Sequence, residues 1–143
     1  MNLAYNGNSA IPVRFVFQVA APTYFEPSEW TLLMKVDKLA SEHDFCRMMT
    51  GKELDDYTQE IQKISPAGIV SDDSVPSLIA YGQIDHCVPV SQKYYLMKAY
   101  LLYDVPYDYI EFPKSNHGMY NDLDKLQEFL DKSLEYAERY FVE

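Results

Sequence analysis

Asp85 and His117 are the two side chains of this 143-residue sequence whose types and placement could do chemistry together. A carboxylate that fixes an imidazole in one tautomer, and stabilises the imidazolium once the ring takes a proton, is the orienting half of a nucleophilic triad. Asp85 lies four residues past the apolar run Pro76–Tyr81, and His117 lies five past Tyr107–Phe112. If both runs are strands of one parallel sheet, both residues sit beyond carboxyl ends, where open α/β sheets collect ligands and reactive groups. Gly82 then lets the chain turn before Asp85, and Gly118 frees the backbone beside His117. The same strings also read as structure alone: Gly-Gln-Ile-Asp as a turn whose Asp bonds its own backbone, and Asn-His-Gly as a loop.

Other reactive residues carry weaker cases. Cys87, two residues past Asp85, could pair with a histidine as a nucleophile. On the acid's own loop it has no sequence reason to reach His117, and a small buried thiol is the expected reading. His86 is expected at the surface. His43 and Cys46 share one helix face and could ligate zinc with two further ligands, but none is grouped nearby, so no metal and no cofactor are assigned. Thirteen tyrosines, six of them between Tyr94 and Tyr109, are expected to pack core and rim.

The elements that must position Asp85 and His117 follow from periodicity. Ile11–Val19 alternates, with Ile11, Val13, Phe15, Phe17 and Val19 on one face, as a strand does. Residues 28–64 read as a mixed, mostly helical insert: Ser28 caps a helix bearing Trp30, Leu33, Met34 and Val36, and helices over 41–49 and 54–64 flank Thr50-Gly51. Ser65-Pro66-Ala67-Gly68 breaks the run. After the strand over 76–81, Ser91 caps a helix with Val90, Tyr94, Met97 and Leu101 on one face, and Tyr107–Phe112 is a third strand. Leu123, Leu126, Leu130, Leu134, Ala137 and Phe141 mark a final amphipathic helix, whose other face from Asp122 onward is acidic and solvated. Strands alternating with helices imply an α/β fold with a three-stranded parallel sheet, flanking helices and a helical insert.

Composition narrows the function classes. Twelve Lys and Arg against 22 Asp and Glu give a net charge of −10, which opposes nucleic acid and anionic membrane as partners. No stretch approaches the ~18 apolar residues of a membrane span, and residues 1–6 lack signal-peptide character. Two cysteines without framework spacing fit a reducing compartment, so the cytoplasm is the expected location and a Cys46–Cys87 bridge is not expected.

The string Pro76-Ser77-Leu78-Ile79-Ala80-Tyr81-Gly82-Gln83-Ile84-Asp85, followed by Val88-Pro89-Val90, resembles the acid-bearing segment of α/β-hydrolases. Phe112-Pro113-Lys114-Ser115-Asn116-His117-Gly118 resembles the family's histidine loop, and the 32 residues between Asp85 and His117 leave room for one helix and one strand. The resemblance covers residues 65–143 well and 1–64 loosely. It implies a carboxylesterase- or lipase-like serine hydrolase with Asp85 as acid and His117 as base. No Gly-x-Ser-x-Gly elbow, which would carry the nucleophile, occurs in the sequence. Ser9 lacks that context, and Leu3-Ala4-Tyr5 looks like the tail of the helix after an elbow. The expectation is therefore a single C-terminal half of such a domain, residues 1–143, with a cap-like insert at about 28–64 where Trp30, Phe45, Met48 and Met49 either line an acyl pocket or pack the cap onto the sheet.

That reading implies a small-molecule ester substrate for the intact parent and an inactive chain on its own. The alternatives are a non-catalytic assembly or ligand-binding module derived from a hydrolase, and a peptidase of the same fold. A half-domain would leave the strand 11–19 with one unpaired edge and an adjoining apolar face, a template for a homodimer or larger assembly.

Overall fold

The computed structural model describes residues 12–34, 41–53 and 57–141. Within them the order is β1 (Val16–Val19), α1 (Pro27–Met34), α2 (Glu42–Thr50), α3 (Tyr57–Ile64), a 3₁₀ turn (Pro66–Gly68), β2 (Ser77–Gly82), α4 (Gln92–Leu102), β3 (Tyr107–Phe112) and α5 (Leu123–Tyr140). The expectations placed on residues 1–11, the side chains of Leu33 and Met34, Val36 and the start of the 54–64 helix fall outside the described residues. The three strands form one parallel sheet in the order β1-β2-β3, with Val16 beside Ser77 and Ser77 beside Tyr107. Parallel pairing demands a crossover between neighbours; α1 to α3 occupy the first and α4 the second.

β2 is buried at every position because both faces of the sheet are covered, as parallel sheets require. Its Ile79 and Tyr81 join Leu96, Ala99 and Tyr100 of α4, with Val70, Val88 and Val105. Its Leu78 and Ala80 join Ile110, Phe112, Ala20, Met119 and Tyr136 of α5 on the other face. Tyr57, Tyr81, Tyr100 and Tyr136 are buried, while Tyr94, Tyr103 and Tyr120 are exposed; Tyr136 donates to the carbonyl of Ser77, and Tyr100 is bonded to the Ser77 hydroxyl. A buried phenol with a partner delivers ring area without an unsatisfied hydroxyl.

Several faces differ from the periodicity reading. On α4 the buried residues are Gln92, Lys93, Leu96, Ala99 and Tyr100, while Tyr94 and Leu101 face solvent. Burial of Lys93 is possible because its ammonium bonds Glu111 and the Tyr109 hydroxyl, both at 2.8 Å. Gln92 is likewise satisfied, accepting from the backbone of Thr23 and Tyr24 and donating to Glu29. On α5 the inward stripe is Leu126, Phe129, Tyr136 and Tyr140, and Leu123, Leu130, Leu134 and Phe141 are exposed. Two apolar stripes compete on this helix, and the aromatic one wins by meeting Phe15 and Phe17 edge-on and tilted. Phe15 and Phe17 thus turn onto α5, while Gln18 on the opposite side of β1 is buried.

The expected caps also shift. Ser28 lies inside the first turn of α1, which starts at Pro27, a residue suited to that position. Ser91 stands at the start of α4 but its hydroxyl donates to Glu29. Ser41, expected inside a helix over 41–49, instead stands just before α2 as its cap and forms a capping box with Asp44, and Gly51 ends that helix at φ 74°. The insert has a small core of its own, Phe45, Cys46, Tyr57 and Ile61, bordered by Trp30, Phe25, Tyr24 and Met49. Trp30 and Phe45 therefore pack helices onto one another and the sheet, and Met48 is exposed. No helix among the described residues is long and apolar enough to cross a membrane.

Candidate active site

Asp85 and His117 meet at the carboxyl end of the sheet. β2 ends at Gly82 and β3 at Phe112, adjacent in register, so the loops leaving them are neighbours. The Asp85 carboxylate, with 0% of its side chain exposed, receives His117 Nδ1 on Oδ2 at 2.9 Å. Its other oxygen, Oδ1, accepts the backbone N–H groups of Cys87 at 2.7 Å and Val88 at 3.0 Å. The turn expected from the sequence is present, and the same carboxylate also meets the ring: one oxygen closes the local turn, and the other is bonded to His117. His117 is 48% exposed, and among the described residues no hydroxyl is bonded to its second ring nitrogen.

Gly82 does more than the sequence expectation, and Gly118 differs from it. Gly82 closes the strand β2, and a Cβ there would overlap the backbone carbonyl oxygens of Asn116 and Ser115. A turn does follow it, with the Asp85 N–H reaching the Gly82 carbonyl, and the absent Cβ also lets the histidine loop approach the acid strand closely. A Cβ on Gly118 would first meet the ring of Tyr120, an exposed side chain. The left-handed position beside His117 belongs to Met119, at φ 58°, held there by burial in the core.

The sequence reading placed Asp122 on a solvated face, whereas it is 3% exposed. Its carboxylate accepts the Lys114 N–H at 2.9 Å and the Ser115 hydroxyl at 2.6 Å. The Ser115 oxygen in turn accepts the Asn121 N–H, and the Ser115 carbonyl accepts Ile84 N–H from the acid loop. Asp122 and Ser115 are therefore the positioning residues of the histidine loop. The Ser-x-x-x-x-x-x-Asp separation carries no recognisable pattern, and acid at a helix start is otherwise a routine charge placement.

Cys87 is the other departure. It is exposed and free, and its sulfur, an oxygen of Asp85 and a nitrogen of His117 all lie within 4.8 Å of one another. The tight turn that the Asp85 carboxylate closes brings the thiol back to the ring. Cys46 is buried and free, and burial raises its thiol pKa. His86 is exposed, as expected, and His43 pairs with Glu53 on the surface. Two surface grooves, about 510 Å³ along α5 beside Asp108 and about 400 Å³ bordered by Tyr24, Gln62, Tyr95 and Leu102, are lined by neither Asp85 nor His117.

The model of the prolyl oligopeptidase family matches residues 15–143. A solved structure described as a truncated form of a carbohydrate esterase from gut microbiota aligns with TM-score 0.61 and 19% identity over 91% of this chain. The chain spans 44% of that structure's length. At this identity the likeness establishes a shared fold: a partial α/β-hydrolase. No curated protein sequence matches the chain.

Proposed function

The chain belongs to the prolyl oligopeptidase family, and from that premise we propose that it supplies the acid and base, Asp85 and His117, of a serine-hydrolase site. The observation that carries this reading is the bond from His117 Nδ1 to a buried carboxylate oxygen. It fixes the proton on Nδ1 and leaves Nε2 as the lone pair that takes a proton from an attacking hydroxyl. The nucleophile and the oxyanion donors come from polypeptide beyond the described residues. Helices α1 to α3 serve as the cap.

The proposed substrates are carboxylic esters, a reading supported by the esterase whose fold the chain shares. Family membership supports amide bonds as the second substrate class, since both reactions pass through the same kind of tetrahedral intermediate. Cytoplasmic residence belongs to the same proposal and is supported by two free thiols. Activated short-chain esters test it: the 143-residue chain should give no burst and negligible turnover, because an acid–base pair alone contributes only about 10²–10⁴-fold. Enzyme-like turnover abolished by Cys87→Ala would make the thiol the nucleophile instead.

A non-catalytic assembly module is favoured by one observation. Among the described residues β1 pairs only with β2, and Leu123, Leu130, Leu134 and Phe141 form an exposed stripe on α5. Pairing with a second copy through the edge or through this face would cover the surface used. Sedimentation equilibrium decides it: Leu130→Lys with Leu134→Lys should dissociate a dimer, and a clean monomer of the unaltered chain would remove the reading.

A further inference from the structure

We infer that Asp85, Cys87 and His117 form a binding site for a zinc-like divalent cation, and that the cation and the acid–base role of His117 exclude one another. Thiol, imidazole and carboxylate converge within 4.8 Å, and no other group of three such side chains among the described residues does so. This donor set matches zinc and its borderline neighbours, while magnesium and calcium require oxygen ligands. Tetrahedral zinc bonds place ligand atoms about 3.4–3.6 Å apart. The widest pair must close by about an ångström, which the exposed Cys87 and half-exposed His117 can do by rotamer adjustment.

The supporting shell is already present. The N–H groups of Cys87 and Val88 hold Asp85 Oδ1, so the oxygen offered to the cation is Oδ2, which bonds His117 Nδ1 in the metal-free site. Three protein ligands leave the fourth position open to water on the solvent side. Binding releases the Cys87 thiol proton to solvent, because the thiolate is the ligand.

The exclusion follows from the ring. A cation on Nδ1 replaces the bond to Asp85 and displaces the Nδ1 proton to solvent. A cation on Nε2 takes the lone pair needed to accept a proton. Either way His117 ceases to be an oriented base. Metal binding itself does not rest on the hydrolase reading; only its inhibitory consequence does.

The test uses the full 143-residue chain, reduced and metal-free, titrated with cobalt(II) alone and then with zinc(II) alone. One equivalent of cobalt(II) should bring a thiolate-to-cobalt charge-transfer band, and zinc(II) should bleach it. Cys87→Ser should abolish the band and weaken zinc(II) at least tenfold, and His117→Ala should weaken it comparably. His43→Ala and Cys46→Ala should leave both readouts unchanged. No band, a band that follows Cys46, or zinc affinity indifferent to Cys87→Ser would overturn the site. If the band obeys Cys87 but the His117 ring resonances do not move with zinc(II), the exclusion fails although a cation is bound. None of these readouts depends on turnover, so they stand apart from a failure of the hydrolase reading.

Discussion

The loops carrying Asp85 and His117 both contain a local turn, but they are anchored differently. The acid loop is closed within itself: Asp85 Oδ1 takes N–H groups from two and three residues ahead, and the Asp85 N–H returns to the carbonyl of Gly82. The base loop also has a local turn, in which Asn116 Oδ1 accepts the Gly118 N–H and the Asn116 carbonyl accepts the Met119 N–H, but the place of that turn is set from outside. It is held by Asp122 at the start of α5, through Ser115 and the Lys114 N–H, and by the contact that Gly82 permits. A short self-closed turn keeps its shape wherever it is placed. A loop anchored from outside keeps its place only while the helix and the strand beneath it are in position. The acid is therefore the fixed member of the pair, and the base is the adjustable one.

The strongest way to break this contrast is Gly82→Ala. The substitution sits at the root of the acid loop, yet its methyl group collides with the carbonyls of Ser115 and Asn116, so the base loop must lift. The expected cost is about 3 kcal/mol, the upper end for overpacking against backbone, read as a lower urea midpoint. Amide exchange should quicken over 113–121 more than over 83–88. Asp122→Ala should cost about 2 kcal/mol, since the buried Ser115 hydroxyl and Lys114 N–H lose their acceptor. His117 ring resonances should broaden while those of Cys87 and Val88 amides stay in place.

Asp85→Asn sharpens the comparison from the other side. Its oxygen can keep the turn, while its amide group faces the Nδ1 proton as a donor. The fold should lose about 1 kcal/mol, and nitrogen-15 shifts of His117 should report a tautomer change; an unchanged tautomer would mean that Asp85 does not orient the ring. The smallest pH-dependent effect belongs to the Lys93–Glu111 pair, which ties the start of α4 to β3 just before the histidine loop. The hydrogen bond from Lys93, then that from Tyr109, holds the Glu111 carboxyl below its ordinary pKa of 4.5. A depressed acid stabilises the fold above that ordinary value and loses its contribution as pH falls through the lowered one. Glu111 is 41% exposed, so the contribution is below about 1 kcal/mol. Glu111→Gln should flatten the acid limb of a stability profile below about pH 4.5 and leave both loops unmoved.

The legibility of the two loops in the sequence follows the same division. Asp85 could be found because its turn, its preceding strand and Val88-Pro89 lie within fifteen residues of one another, and His117 because it follows a strand of the same kind. Asp122 could not, because its partners are loop atoms seven and eight residues away whose meeting depends on where α5 packs. Cys87 was misjudged for a related reason. Its distance to His117 is a property of two adjacent loops, and periodicity says nothing about how two loops face each other.

Element types, their order and the parallel pairing were determined by the sequence alone, since apolar runs of strand length separated by helical runs admit few packings. The choice of face was not. α4 buries a lysine and a glutamine in preference to Tyr94 and Leu101, and α5 turns its aromatic stripe inward over its leucine stripe. Hydrophobic periodicity measures what a side chain gains by leaving water, and these helices each offered more than one face that could do so. The decision fell to partners supplied by distant segments: Glu111 and Tyr109 for Lys93, Glu29 and Thr23 for Gln92, Phe15 and Phe17 for the α5 aromatics. A buried polar group or ring is stabilised only by what meets it, and that meeting exists only in the folded chain.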